Sequence, residues 1–477
     1  LGATLEQLQL DGNVNARLHL DIPLNGELVT AKGEVALKNN SLFIKPLNSK
    51  LDNLSGKFRF INGNLTSEPL TARWFNQPLN VDFTTNEGAK AYQVAVNLSG
   101  NWQPARTGVL PTQINDALSG SVTWDGKVGI ELPYRAGATY DVELRGDMKN
   151  VSSHLPSPLE KSAGEPLPFT MNVKGNLQGF ELTGLVGENN HFNSHWMLGE
   201  RLSLERAIWA SDSKTLPPLP EHSGVELNLP AMDGAEWLAL FQQGVGNQVG
   251  NTTHFPEHIT LRTPMLSLGG QRWNNLSIIS EPSANGTVVE AQGREINASL
   301  AMHNNAPWLA NIKYLYYNPS VAKSNGTSSP FAAANQISFQ GWPDAQIRCQ
   351  QCWFWGQKYG RIDGDIAINC NTLTLSNGLL DTGYARLTAD GEWVNAPGNE
   401  RTSIKGKLRG KKIDAAVEFF GVSTPIRNSS FNFEYDLHWR NPPWQPDEAT
   451  LNGIIRTHLG KGELTDISTG HAGQLLR

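Results

Sequence analysis

The sequence has no surplus of positive charge: its 39 Lys and Arg face 45 Asp and Glu, leaving a net charge of −6. Without spare cations to neutralise phosphates, wholesale nucleic-acid binding is disfavoured. Charge of either sign is scarce, at 18% of residues against the ~25% of an ordinary globular chain. No uninterrupted apolar run approaches the ~20 residues that carry a helix across a bilayer. Leu1 opens directly into patterned sequence rather than a signal peptide. With no opening Met and no evident terminator after Gly473-Gln474-Leu475-Leu476-Arg477, the chain is expected to be a piece of a longer one.

Cysteines number only three, Cys349, Cys352 and Cys370. No second pair completes a four-thiolate zinc site, and no strand-helix pattern sets the Cys-x-x-Cys at a helix N-terminus as thioredoxin-like chemistry requires. In an oxidising compartment a structural disulfide is the better reading. On a regular strand, Cα atoms three residues apart lie ~10 Å from each other, beyond the ~7 Å that a disulfide bridges. Either Gln350-Gln351 forms a turn that joins Cys349 to Cys352, or Cys370 pairs across a hairpin centred near Gly360.

Catalytic signatures are missing too: no nucleophile elbow, phosphate loop, zinc-protease helix or dinucleotide fingerprint occurs. No enzymatic activity, metal or cofactor is expected. The spacings His191-x-x-x-His195 and His254-x-x-x-His258 would join imidazoles only on a helix. Asn193 and Pro256 interrupt both, so loop histidines are expected. Asp363 and Asp365, either side of Gly364, read as turn chemistry in a hairpin.

What the chain has in abundance is strict apolar/polar alternation, the period that sends successive side chains to opposite faces of a strand. It is clean in Phe431-Asn432-Phe433-Glu434-Tyr435-Asp436-Leu437-His438-Trp439 and in Tyr140 to Met148. It recurs over Ala16–Ile22, Lys57–Ile61, Leu79–Phe83, Tyr92–Leu98, Gly120–Trp124, Ile259–Thr263, Ala385–Ala389 and Ile404–Leu408. The 46 Gly and 27 Pro suit many short strands joined by turns. An all-β chain follows, each strand with one apolar and one wet face.

Val94-x-Val96-x-Leu98-x-Gly100-x-Trp102 and Ala385-x-Leu387-x-Ala389-x-Gly391-x-Trp393 repeat one pattern, in which Gly lets the strand bend or lets an indole lie across it. The length allows roughly three ordinary domains or one long repetitive one, and this weak repetition favours the second. Helices are few. The best candidate runs from Asp233, its N-cap, through Glu236 to a stop at Gly244, with Trp237, Leu240 and Phe241 on the buried stripe. It follows the proline-rich Leu216-Pro217-Pro218-Leu219-Pro220, read as a linker. The expected organisation is a first β section over 1–215, linker and helix over 216–250, and a second β section over 251–477. A further loop-rich stretch spans Asn318 to Ala334.

So many half-apolar strands must lay their oily faces against something: two sheets of a sandwich, a closed barrel, or a curled trough covered by a ligand. A transmembrane barrel would need regular ~10-residue strands with aromatic girdles, which this proline-punctuated series lacks. The 14 Trp could stack on sugars, but Trp102, Trp124, Trp393 and Trp439 keep phase with the apolar faces, where they fill a core or line a groove.

Three groups of segments decide between sandwich and trough. Gly12 to Thr85 contains Ala16-Arg17-Leu18-His19-Leu20-Asp21-Ile22-Pro23, Ser41–Ile44, Leu51–Phe60 and Leu70–Pro78. Gly378 to Trp393 and Leu459 to Gly473 add the others. Together they resemble the periplasmic repeat region of the AsmA-like family, and their order over essentially the whole chain resembles a large member of it. The resemblance implies an elongated, curled antiparallel sheet forming a half-open hydrophobic groove with a few short helices. It implies a bridge-like lipid transfer protein of the periplasm, anchored in the bacterial inner membrane by parts outside this sequence. Its partners would be phospholipid acyl chains and, through those outside parts, the inner and outer membranes. The expected groove lining is Leu18, Leu20, Ile22, Phe58, Phe60, Val94, Val96, Leu98, Val142, Leu144, Phe431, Phe433 and Leu437. A carbohydrate-binding β-protein, with Trp74, Trp353 and Trp355 projecting outward, and an inert envelope scaffold are the alternatives.

Overall fold

The computed structural model describes residues 8–45, 49–108, 110, 112–242, 253–319 and 338–465. They form two compact units, Leu1–Leu266 and Ser267–Arg477. In the first, β1 (Leu8–Asp11), β2 (Val14–Asp21), β3 (Thr30–Ile44), β4 (Ser49–Ile61), β5 (Asn64–Ser67), β6 (Leu70–Trp74), β7 (Gln77–Glu87) and β8 (Ala91–Trp102) follow in order. A 3-10 turn (Pro104–Arg106) and α1 (Thr112–Ala117) precede β9 (Leu118–Ser119), β10 (Val122–Pro133), β11 (Thr139–Asp147) and β12 (Ser152–Ser153). Then come β13 (Pro168–Asn176), β14 (Gly179–Val186), β15 (Asn190–Met197), β16 (Leu202–Ala210), β17 (Gly224–Asn228), β18 (Met232–Asp233), α2 (Gly234–Gln242), β19 (Thr253–His254) and β20 (Ile259–Leu268).

The second unit holds β21 (Gln271–Ser283), β22 (Gly286–Gln292), β23 (Ile296–His303), β24 (Trp308–Tyr317), β25 (Ala345–Phe354), β26 (Gln357–Asn369), β27 (Thr372–Asp381), β28 (Ala385–Val394) and β29 (Arg401–Gly410). After α3 (Ile413–Phe419) follow β30 (Ile426–Arg427), β31 (Phe431–Arg440), β32 (Asn452–Leu459) and β33 (Glu463–Leu464). The all-β reading of the alternation therefore holds. Among the described residues, no helix is long and apolar enough to cross a membrane.

Most neighbours pair antiparallel, but each unit is mixed. β16 runs parallel to β17, β17 to β20, and β24 to β25. The reason is connection length: a hairpin turn can only reverse the chain, whereas the longer excursions after β16 and β24 allow a parallel return. The proline-rich segment expected as a linker lies against the sheet. Asn193 Nδ2 donates to the Pro217 carbonyl at 3.0 Å and Arg206 to the Pro220 carbonyl at 3.3 Å.

Buried cores are small and local. Leu37, Leu51, Leu54, Leu70, Ala72 and Leu79 cluster where β3, β4, β6 and β7 curl together, and Asn40, fully buried, stitches the break between β1 and β2 by donating to the carbonyls of Asp11 and Asn13. In the second unit Ile413 and Ala416 of α3 close over Ala385 and Phe431. The helix expected after Asp233 is α2, with the Asp233 carboxylate accepting the Ala235 N–H at 2.9 Å. Its expected stop at Gly244, the side chain of Phe241 and most of the Asn318–Ala334 loop lie outside the described residues. His191 and His195, expected in loops, lie within β15, because a strand tolerates the Asn193 that a helix would resist. Asp363 and Asp365 lie within β26, not in a turn, paired with Arg361 and Arg348.

Candidate functional site

In an antiparallel ladder, directly opposed residues share a face, so the register traces each face strand by strand. In the first unit one row runs Phe83, Val96, Val128, Val142, Val173, Leu182 across β7, β8, β10, β11, β13 and β14. Beside it run Val81, Leu98, Gly126, Leu144, Met171, Gly184, Phe192 and Trp209. On its other side lie Thr85, Val94, Ile130, Tyr140, Gly175, Phe180 and Trp196. Val94, Val96, Leu98, Val142 and Leu144 thus occupy one apolar floor. Phe58 reaches the same floor, its ring 5.6 Å from that of Phe83.

At two points of the floor a large residue is set against glycine, while Phe180 with Trp196 and Phe192 with Trp209 stack ring on ring. Gly146 lies under the Phe169 ring and Gly184 under Phe192; a Cβ there would stand 2.7 Å and 2.4 Å from the ring carbons. Each aromatic lies down over its neighbour's missing side chain. The Gly-x-Trp pattern divides on this point. At Gly100 the indoles of Trp102 and Trp124 cross the strand, whereas at Gly391 the backbone of Ser403 and Ile404 makes the close approach.

Burial separates the two faces. Along β8, β11 and β13 every floor residue is half-buried or better, while nearly every residue facing away is exposed. The outward face carries the charge: Arg145 pairs with Asp125 at 3.7 Å and Glu143 at 3.0 Å, and Lys174 with Asp141 at 3.8 Å. Among the described residues no second sheet of more than two strands exists, and at its β7–β8 end the floor packs through Val81, Phe83 and Leu98 against the core of β3, β4 and β6. A cavity of about 230 Å³ is lined by Asn80, Asp82, Asn97, Ser99, Asp125 and Lys127 together with Pro69, Val81, Leu98 and Gly126.

In the second unit a row runs Ile278, Ala291, Ala298, Ile312, Cys349, Ile362, Leu380, Leu387, Leu408 and Phe433 from β21 to β31. Leu437 stands opposite Ile404 in the next but one. Phe431, by contrast, is 4% exposed beneath α3, a sealed core position. Tyr435 lies between the rows opposite Gly406 and donates its hydroxyl to the Thr388 carbonyl at 2.7 Å. Burial, with Asp390 nearby, pushes its phenol up to about 12.

At the opposite extreme Leu18, Leu20 and Ile22 are 63%, 50% and 64% exposed on and just past the edge strand β2, and Phe60 faces Gly33 next to it. Cys349 and Cys352 form a disulfide with Cα atoms 6.3 Å apart. A β-bulge at Gln350-Gln351 shortens the strand enough to bridge it. Both sulfurs sit in the floor, and Cys370 is free and exposed. Trp74 does not project outward. It packs on Trp102 with centroids 6.0 Å apart and donates to Ser49. Trp353 stacks on Tyr316 at 4.1 Å with Lys358 above it, and Trp355 is exposed at a hairpin turn.

Sequence reasoning missed the floor residues contributed by Val128, Val173, Leu182, Ile362 and Leu380. The signal was present in Val122-Thr123-Trp124-Asp125-Gly126-Lys127-Val128-Gly129-Ile130, where the glycines hide an unbroken alternation. Among the described residues, no group of His, Cys, Asp and Glu gathers to hold a metal.

The profile of the YhdP protein family matches residues 1–477. The chain belongs to the YhdP family. Among curated relatives, the "Intermembrane phospholipid transporter YhdP" of Escherichia coli (strain K12) is 77% identical over the whole of this chain. This YhdP-family chain spans 38% of that relative's length. No solved structure matches it.

Proposed function

We propose that this chain is a non-catalytic section of a periplasmic conduit that carries phospholipid between the inner and outer membranes. Groove sections at 1–215 and 251–477 flank the segment 216–250, and inner-membrane anchorage and membrane partners lie in other parts of the full-length protein. The observation that carries the reading is the partly exposed apolar floor, continuous across successive strands of one sheet and packed at its β7–β8 end against the core of β3, β4 and β6. The printed function of the 77% identical relative supports it.

The energetics require such a floor. At ~0.8 kcal/mol per methylene, a 16-carbon chain in water costs about 13 kcal/mol and two chains about 25 kcal/mol. Free diffusion across an aqueous space is therefore prohibitive. A floor of Val94, Val96, Leu98, Val142 and Leu144 replaces that water beneath the chains and leaves the headgroup in solvent.

Native mass spectrometry of the gently purified chain, with lipid extraction, tests the reading. Bound phospholipid or detergent is expected. A chain free of both, with its apolar rows interlocked, defeats the proposal, and specific glycan binding would transfer it to the carbohydrate alternative.

A further inference from the structure

The two lips of the first unit's groove are built differently. At one lip the strands are joined by hairpin turns of two to five residues: Gly88–Lys90, Tyr134–Ala138, Leu177–Gln178 and Leu198–Arg201. At the other lip short turns join β6 to β7 and β14 to β15, but the connections after β8, β11 and β16 are long excursions, and α2 follows β17 at the same end. The excursions bond to one another. Ser119 and Ser152 hydroxyls lie 2.5 Å apart, the His154 N–H donates to the Ala117 carbonyl at 2.8 Å, and Trp237 Nε1 donates to the Ser157 carbonyl at 3.0 Å. Val151 and Leu155 are buried within that wall, and the Lys161 ammonium is consumed by the carbonyls of Lys149, Val151 and Ser162.

The hairpin lip keeps its charges free. Lys90, Arg135 and Arg201 are exposed and make no ion pair among the described residues, and Glu87 and Glu200 stand unpaired beside them. Successive hairpins along this lip are two strands apart, roughly 10 Å, about the lateral span of one phospholipid headgroup. Cations stand on the first, second and fourth of these hairpins and carboxylates on the first and fourth, charges of both signs for the phosphate and ammonium of a zwitterionic headgroup. The excursion lip mixes exposed Glu160, Glu165, Glu188 and Asp212 with exposed Arg106, Lys149 and Lys214, so its distinction is the bonded wall and not its charge.

We infer that the hairpin lip is the open edge of the first unit's groove. Zwitterionic phospholipid headgroups pass along it over Lys90, Arg135 and Arg201, while the excursion lip is a closed wall. The inference rests on the conduit reading and adds the edge and the headgroup class.

Fluorophores at three positions test it in the full chain with Cys370→Ser. Gly137→Cys labels the hairpin lip, where an added side chain meets nothing within 4 Å. Glu160→Cys labels the wall and Val142→Cys the floor. Phosphatidylcholine carrying a nitroxide on its headgroup is expected to quench the Gly137→Cys label several-fold more than the Glu160→Cys label. Equal or reversed quenching overturns the inference. Lys90→Gln, Arg135→Gln and Arg201→Gln together should weaken the lip signal, and an unchanged signal overturns the role given to the cations. Lipid bearing the nitroxide on an acyl chain should quench the floor label. Its failure to do so defeats the conduit reading itself, and this inference with it.

Discussion

Val96→Asp is the perturbation that most directly interrogates the floor. Val96 lies between Phe83 and Val128 in the central row of the first unit and is half-buried with no lipid present. An aspartate there can stay hydrated while the groove is empty, so the folded chain should lose only about 1 kcal/mol. With an acyl chain overhead the situation changes. One inter-strand step of 4.8 Å is spanned by about four methylenes, and a carboxylate that keeps its water leaves those methylenes wet at a cost of about 3 kcal/mol. Passage over that strand then slows about 100-fold, since each 1.4 kcal/mol is a factor of ten.

The control is Ala95→Asp, one residue away on the exposed face, which adds the same charge without touching the floor. Fluorescent phospholipid exchange between donor and acceptor vesicles, with thermal unfolding in parallel, reads both variants. Exchange by Val96→Asp within about threefold of the unmodified chain, or equal loss in Ala95→Asp, refutes the reasoning.

Four further outcomes follow from the geometry. Phe431→Ala, beneath α3, should cost about 3–5 kcal/mol of stability in chemical denaturation, whereas Phe433→Asp, partly buried at the edge of the same core, should lower the unfolding midpoint less and abolish lipid exchange. Gly184→Ala forces a Cβ within 2.4 Å of the Phe192 ring and 2.7 Å of the Thr170 carbonyl, and should destabilise by about 1–3 kcal/mol. Cys349→Ser with Cys352→Ser opens a loop of only a few residues and should cost about 2 kcal/mol on the chain-entropy account, read as a lowered denaturant midpoint with Cys370 unaffected. The Tyr435 phenol, pushed up to about 12 when folded, lies above the ~10 of an unfolded tyrosine. Its contribution is complete below pH ~10 and fades as pH rises toward 12, so Tyr435→Phe should flatten the alkaline limb of the stability profile.

The strands were legible because alternation is a local property. Phe431–Trp439 and Tyr140–Met148 announce β31 and β11 within a residue, since period two admits no other regular structure. The glycines concealed part of the same message: Gly126 and Gly129 interrupt the apolar count in β10 although both keep phase with their strand. Closure was not legible at all. Phe431 and Phe433 are indistinguishable in pattern, yet only Phe431 is fully covered, because α3 comes from a segment whose landing place no periodicity encodes. The parallel returns of β17 and β25 were likewise hidden, being decided by connections rather than by the strands they join. For the cysteines, spacing stated the problem and only the bulge at Gln350-Gln351 solved it.

A conduit and a binding pocket make opposite demands on the same apolar residues. A pocket gains from one site that grips better than its surroundings. A conduit needs every position to grip alike, since any strand that bound a chain 3 kcal/mol better than the next would hold it about 100-fold longer. The central row answers the second demand: Val96, Val128, Val142 and Val173 offer the same side chain on four adjoining strands. Elsewhere an aromatic is set against a glycine, as Phe169 is against Gly146, while toward β15 and β16 the rows end in the stacked pairs Phe180–Trp196 and Phe192–Trp209. The hydroxyl of Tyr435, which could otherwise snag a passing ester, is already spent on the Thr388 carbonyl. On the proposed conduit reading, evenness of the central row, more than its hydrophobicity, is the property that suits it to let lipid pass rather than keep it.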